Sequence, residues 1–265
     1  MNATTDIILD VRDAAKSFDG LRAVAGATFR VVRGSITALI GPNGAGKTTM
    51  FDLLSGFARP DAGSIILSGH DITGKAPHRI ARFGLVRTFQ LTRVLAGMSV
   101  IDNMLLAAAD QPGEKLTSLL AGPARARAAE AAARERAFDL LETFGLKAKL
   151  TDYAGALSGG QRKLLEIARA LMTNPSIVLL DEPMAGVNPT LGRSILDHIE
   201  ALRKEHGTTF LFVEHDMDVV MTRSDHVIVM AQGQVIADGT PADIRSDAKV
   251  IAAYLGGGPV ESTAP

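Results

Sequence analysis

The chain has 265 residues, 46% hydrophobic and 22% charged, which suits a globular domain and excludes disordered and fibrous classes. With 28 Lys and Arg against 29 Asp and Glu the net charge is −1, so no global basic field would draw it to nucleic acid. With no cysteine there is no disulfide framework, no thiol catalysis and no Cys-based zinc site.

Ile7 to Val11 and Ala23 to Val32 alternate apolar and polar residues, the pattern of antiparallel strands. Ser35 to Ile40 is short and mostly apolar, as a strand buried on both faces should be. A Gly-rich turn follows, then a helix from Thr48 to Gly56, with further short strands expected at Ile65–Leu67 and Val86–Gln90. From about Thr92 to Gly160 the pattern is helical. Ser99 caps one helix reaching Ala109, and Pro123 opens an Ala/Arg/Glu run that ends near Gly145. The arginines 125, 127, 134 and 136 are offset by Glu130, Glu135, Asp139 and Glu142, which reads as a solvated face.

Beyond Gly160 strands and helices alternate: a strand at Ile177–Leu180, a helix at Leu191–His206 and a strand at Thr209–Val213. This alternation predicts a mostly parallel sheet covered by helices. Val227–Met230 and Val235–Ala237 form a hairpin across Gln232-Gly233, and Thr240-Pro241-Ala242-Asp243 is a capped helix start. No apolar run approaches the roughly 20 residues of a membrane span. The first ten residues carry Asp6 and Asp10 and no basic stretch, so no signal peptide is expected and the chain reads as cytosolic.

Three motifs carry chemistry. Gly41-Pro42-Asn43-Gly44-Ala45-Gly46-Lys47-Thr48, followed by Thr49, fits the phosphate-loop pattern GxxxxGK[ST] between a strand and a helix. Its glycines let backbone N–H groups approach phosphates, Lys47 reaches the β- and γ-phosphates, and the Thr48 hydroxyl is suited to Mg²⁺. Ile177 to Glu182 is an apolar strand ending in two acids, which are costly there unless they face a cation or a polar cleft. Asp181 would serve the Mg²⁺ shell and Glu182 would act as general base toward water. In Leu157-Ser158-Gly159-Gly160-Gln161 the serine and glycines open a helix, a second anion-binding end on the same chain.

The phosphate loop, LSGGQ and LLDEP, in this order, resemble the ATP-binding subunit of an ABC transporter, over about residues 6 to 256. The resemblance implies a P-loop NTPase: a RecA-like, mostly parallel α/β core with an antiparallel β subdomain and an inserted helical subdomain. Residues 6–90 and 161–256 would form the core and 91–160 the helical part with its signature motif, leaving 257–265 as a loose tail. It also implies ATP and Mg²⁺ as ligands and hydrolysis of ATP. Gln90 matches a glutamine that senses Mg²⁺ and the membrane partner, and His215 a switch histidine at the γ-phosphate. Phe18 lies where the family places an aromatic that stacks on adenine. Two such subunits pair head to tail, alike or different, so that Ser158 and Gly160 of one cover the ATP held by Lys47 of the other. Permease subunits and, indirectly, a periplasmic substrate-binding protein would complete the assembly. The chain would then sit peripherally on the inner face of the cell membrane, with no nucleic-acid partner.

Within the family, AGVNP at 185–189, with Asn188 where Asp is usual, resembles the ATPases of branched-chain amino-acid importers. So do Arg87-Thr88-Phe89-Gln90, SVIDNM at 99–104, the long helix near 123–144 and Val250 to Gly256. The ATPase of lipopolysaccharide export is the nearest alternative, but its helical segment is shorter. Importers of urea or amides are another. Relatives acting on DNA or ribosomes carry a long coiled coil or tandem cassettes, and this chain has neither.

Overall fold

The computed structural model describes residues 6–88, 94–108 and 123–255. Strands β1 (Ile7–Phe18) and β2 (Leu21–Val32) pair antiparallel, and with β4 (Ala62–Leu67) and β5 (His70–Asp71) they form a four-stranded sheet in the order β2-β1-β4-β5. β1 runs seven residues past its alternating pattern because register shifts between Val11 and Ala14, and again before Ser17, break the period of two.

The second sheet has six strands in the order β10-β9-β3-β8-β7-β6. Its members are β3 (Ile36–Ile40), β6 (Leu85–Arg87), β7 (Ile177–Asp181), β8 (Thr209–Val213), β9 (His226–Ala231) and β10 (Gln234–Gly239). All neighbours are parallel except β10, which folds back on β9 through Gln232 and Gly233, both at positive φ as a tight hairpin requires. Every residue of β3, β7 and β8 is buried, the signature of strands covered on both faces.

Successive side chains leave opposite faces, so the sheet divides the apolar interior in two. Ile36, Ala38, Ile40, Val178, Leu180, Phe210 and Phe212 face the helical layer. Leu39, Leu179, Leu211 and Val213 face α1 (Lys47–Ser55) and the antiparallel sheet. The helical layer holds α3 (Val100–Leu106), α4 (Pro123–Thr143), α5 (Gly159–Leu171) and α6 (Pro189–His206). Three short helices, α7 (Met217–Arg223), α8 (Pro241–Ser246) and α9 (Ala248–Leu255), close the C-terminal end. A further short helix, α2 (Pro77–Arg82), leads into β6.

The expected caps form. Ser99 accepts from Asp102 N, and Ser158 with Gln161 and Thr240 with Asp243 make reciprocal capping boxes. Asn188 accepts from Leu191 N at 2.8 Å and Pro189 takes the first helical position, so the departure from Asp at 188 serves as the N-cap of α6. Arg136 does not belong to a wholly solvated face. Its guanidinium donates to Leu171 O at 2.7 Å, a cation at the C-terminal end of α5.

Candidate nucleotide-binding site

The phosphate loop leaves buried β3 and ends in α1. Gly46 begins that helix at φ 98, a left-handed conformation that glycine adopts without strain. A Cβ there would lie 2.3 Å from Ala23 O, so β2 presses directly on the loop. Gly41 is packed as closely from the other side, where a Cβ would meet Met230 O of β9 at 2.0 Å. The loop is thus held between the two sheets. No side chain caps α1, so its opening N–H groups have no local acceptor of that kind. Lys47 Nζ donates to Gly41 O at 2.7 Å and to Pro42 O at 3.0 Å. Burial pushes its ammonium below the usual lysine value, and the nearby Glu182 carboxylate pulls it partly back.

A cleft of about 400 Å³ opens above the loop, lined by Asn43 to Thr49, Phe18, Glu182 and His215. That room and its mixed lining suit a nucleotide. Phe18 is 48% exposed at the end of β1, so its ring belongs to the cleft and not to the core. Lys16 Nζ sits 5.3 Å from the centroid of that ring.

Asp181 ends β7 inside the fold and Glu182 begins the following turn. Glu182 has φ 46, unfavourable for a residue with a Cβ, and its carbonyl accepts from Ala185 N at 3.1 Å. The strained turn aims its carboxylate at His215, where Nε2 and Oε1 lie 2.6 Å apart. The imidazole is the donor when the carboxylate is ionised.

Ser158, Gly159, Gly160 and Gln161 do not line this cleft. They open α5, with Gln161 N donating to Ser158 Oγ at 3.2 Å and Ser158 N to Gln161 Oε1 at 3.0 Å. Gly160 packs on α6, since a Cβ there would fall 1.8 Å from Leu191 Cδ2. Gln90 lies outside the described residues.

Two buried charged residues complete the site, and no motif reading gave either a role. Arg87, at the end of β6, donates to Asp52 of α1 at 2.5 Å and to Asp181 at 2.8 Å, bridging the phosphate-loop helix to the acidic strand end. Its place in Arg87-Thr88-Phe89-Gln90, three residues before Gln90, is the only sequence signal beside it. Glu214 follows β8 and accepts from Met184 N and His215 N. Burial raises its carboxyl pKa above the usual glutamate value, and the two backbone donors oppose that.

For a divalent ion the chain offers a hydroxyl at Thr48 and a carboxylate at Asp181. Among the described residues no three His, Asp, Glu or Cys side chains converge. Thr48 lines the cleft, whereas the Asp181 carboxylate accepts from Arg87 at 2.8 Å and is not among the residues that line it.

Residues 24–185 match the family model described as ABC transporter. The chain belongs to the ABC transporter family. Residues 234–259 match a second model, that of the branched-chain amino acid ATP-binding cassette transporter. Among ABC relatives, the high-affinity branched-chain amino acid transport ATP-binding protein BraF of Pseudomonas aeruginosa is 45% identical over 94% of this chain and 98% of its own. The corresponding protein LivG of Escherichia coli K12 is 43% identical, with the same coverage of both chains. A crystal structure of the ADP conformation of an ABC-transporter cassette is 39% identical, covers 95% of this chain and all of its own, and superposes with a TM-score of 0.80. The ABC cassette fold is therefore the fold of this chain. No helix among its described residues is long and apolar enough to cross a membrane.

Proposed function

We propose that this chain binds and hydrolyses ATP as the energy-coupling subunit of an importer for branched-chain or related amino acids. The observation that carries the chemistry is the Glu182–His215 pair on the wall of the cleft that holds Lys47. A carboxylate and an imidazole at that position supply a base and a charge-sensing group beside the γ-phosphate. The substrate class is supported by the match of residues 234–259 and by the printed names of relatives that this chain covers almost end to end.

In this reading Phe18 stacks on adenine, and the N–H groups of Gly41 to Thr49 cradle the phosphates. Lys47 leaves Gly41 O and Pro42 O to meet the β- and γ-phosphate oxygens, and its charge offsets theirs. Thr48, Asp181 and Gln90 would hold Mg²⁺, which would neutralise charge on the phosphate oxygens. Glu182 takes a proton from the attacking water as oxygen bonds to the γ-phosphorus and the bond to the bridging oxygen breaks, leaving ADP and phosphate. His215 orients Glu182 and donates toward the γ-phosphate.

Ser158, Gly159, Gly160 and Gln161 lie outside the Lys47 cleft, which favours a head-to-tail dimer in which they cover the nucleotide of the other subunit. That subunit is a second copy or a related ATPase. Residues 6–90 and 161–256 act as the nucleotide core, while Gln90 and the helical part, 91–160, transmit closure to the permease. The chain then works peripherally on the inner face of the membrane.

The test is ATP hydrolysis by the chain assembled with its permease in vesicles. Binding protein loaded with leucine or valine is expected to stimulate hydrolysis. Stimulation by urea or by lipopolysaccharide alone would reassign the substrate.

A further inference from the structure

The segment 213–215 touches the turn at 182–184 through three successive residues. Val213 O accepts from Glu182 N at 3.1 Å. The Glu214 carboxylate accepts from Met184 N at 3.0 Å through Oε1 and from His215 N at 3.3 Å through Oε2. The His215 ring bonds the Glu182 carboxylate at 2.6 Å. Backbone and side chains thereby close a small ring that runs Glu182, Pro183, Met184, Glu214, His215 and back to Glu182.

We infer that Glu214 is a positioning residue that clamps the Glu182 turn to the His215 turn and so sets the geometry of the catalytic pair. The inference rests on the roles proposed above for Glu182 and His215. Three physical points carry it. Glu214 is only 6% exposed, and a buried carboxylate is costly unless it does something a neutral group cannot. Two N–H donors from different turns need two acceptor oxygens on one side chain, which a carboxylate has. Glutamine has one, and its amide would point an N–H at an N–H. The clamp also acts where the backbone is strained, since Glu182 is held at φ 46 two residues before the Met184 donor.

The experiment measures ATP affinity, single-turnover hydrolysis of Mg-ATP at high protein concentration, and the thermal midpoint, on the full chain. Glu214→Gln is expected to keep ATP affinity within about twofold while hydrolysis falls by about 100-fold, the scale of a small misplacement of catalytic groups. The decisive reading is a double-mutant cycle with His215→Ala. If Glu214 acts through the pair, its substitution costs under about twofold once His215 is gone. Equal losses in both backgrounds, or a fall in affinity matching the fall in rate, would overturn the inference and leave a merely structural residue. Should Glu214→Gln fail to fold, Glu214→Asp carries the same cycle, being too short to reach both donors. Glu182→Gln is the control for the underlying reading. Full hydrolysis by that variant sinks the assignment of the site and the inference with it, whereas a dead Glu182→Gln beside a fully active Glu214→Gln sinks the inference alone.

Discussion

The Glu182 carboxylate and the His215 imidazole meet at 2.6 Å although 33 residues separate them and each follows a different strand of the parallel sheet. Because β7 and β8 are neighbours in register, with Asp181 opposite Val213, the residues that follow them emerge side by side. The sheet thus assembles the pair, and the turn at φ 46 aims it.

Loss of the base should separate binding from turnover. Glu182→Gln is expected to bind ATP as the wild type does and to hydrolyse it roughly 100- to 10,000-fold more slowly. In Mg-ATP it should accumulate as a dimer on size-exclusion chromatography. A monomer that hydrolyses ATP at full rate would contradict the head-to-tail arrangement.

Lys47 contributes a charge-assisted contact to the phosphates, of about 1.5–3 kcal/mol, so Lys47→Ala should weaken ATP binding about 10- to 100-fold. Equilibrium titration with a fluorescent ATP analogue measures this. Unchanged affinity would mean that the loop does not hold the phosphates.

At Gly160 the constraint is packing within one chain. Gly160→Ala would set its Cβ 1.8 Å from Leu191 Cδ2, the far end of a flexible side chain that must turn aside, at a cost of about 0.5–1.5 kcal/mol. Leu191→Ala removes the opposing methyl, so the double variant should lose less stability than the two single losses added together. Thermal or urea unfolding of the four proteins reads this directly, and strict additivity would mean the contact carries no strain.

Asp10 supplies a pH-dependent term to the antiparallel sheet. The Arg12 guanidinium, and less strongly Arg30, hold its carboxyl below the ordinary value of 3.8 against the opposing effect of burial. A lowered folded pKa means the stabilisation is present above about pH 3.8 and is lost as pH falls through the folded value. Both arginines are largely exposed, so the contribution is about 1 kcal/mol at most. Asp10→Asn should lower the unfolding midpoint at pH 7, and its gap from the wild type should narrow as pH falls below about 3.8. A gap that stays constant as pH falls through that range would exclude the ion pairs as its source.

What the sequence made legible is what local patterns encode. A strand buried on both faces, the glycine turn after it and the Ser158 and Thr240 caps are short-range features, and all of them form as read. β1 was legible only to Val11, because its register shifts erase the alternation beyond that point. Helix α7, seven residues long behind an Asp216 cap, is too short to show a helical period. Arg87 and Glu214 were not legible as site residues. Their partners are Asp181, 94 residues from Arg87, and Met184, 30 residues from Glu214, so only the folded sheet brings them together.

The most direct measurement is uptake of labelled leucine at low concentration by cells lacking this chain, rescued with the wild type or with Glu182→Gln. The account predicts that uptake falls on deletion and that only the wild type restores it. Unchanged uptake on deletion, or full rescue by Glu182→Gln, would contradict it.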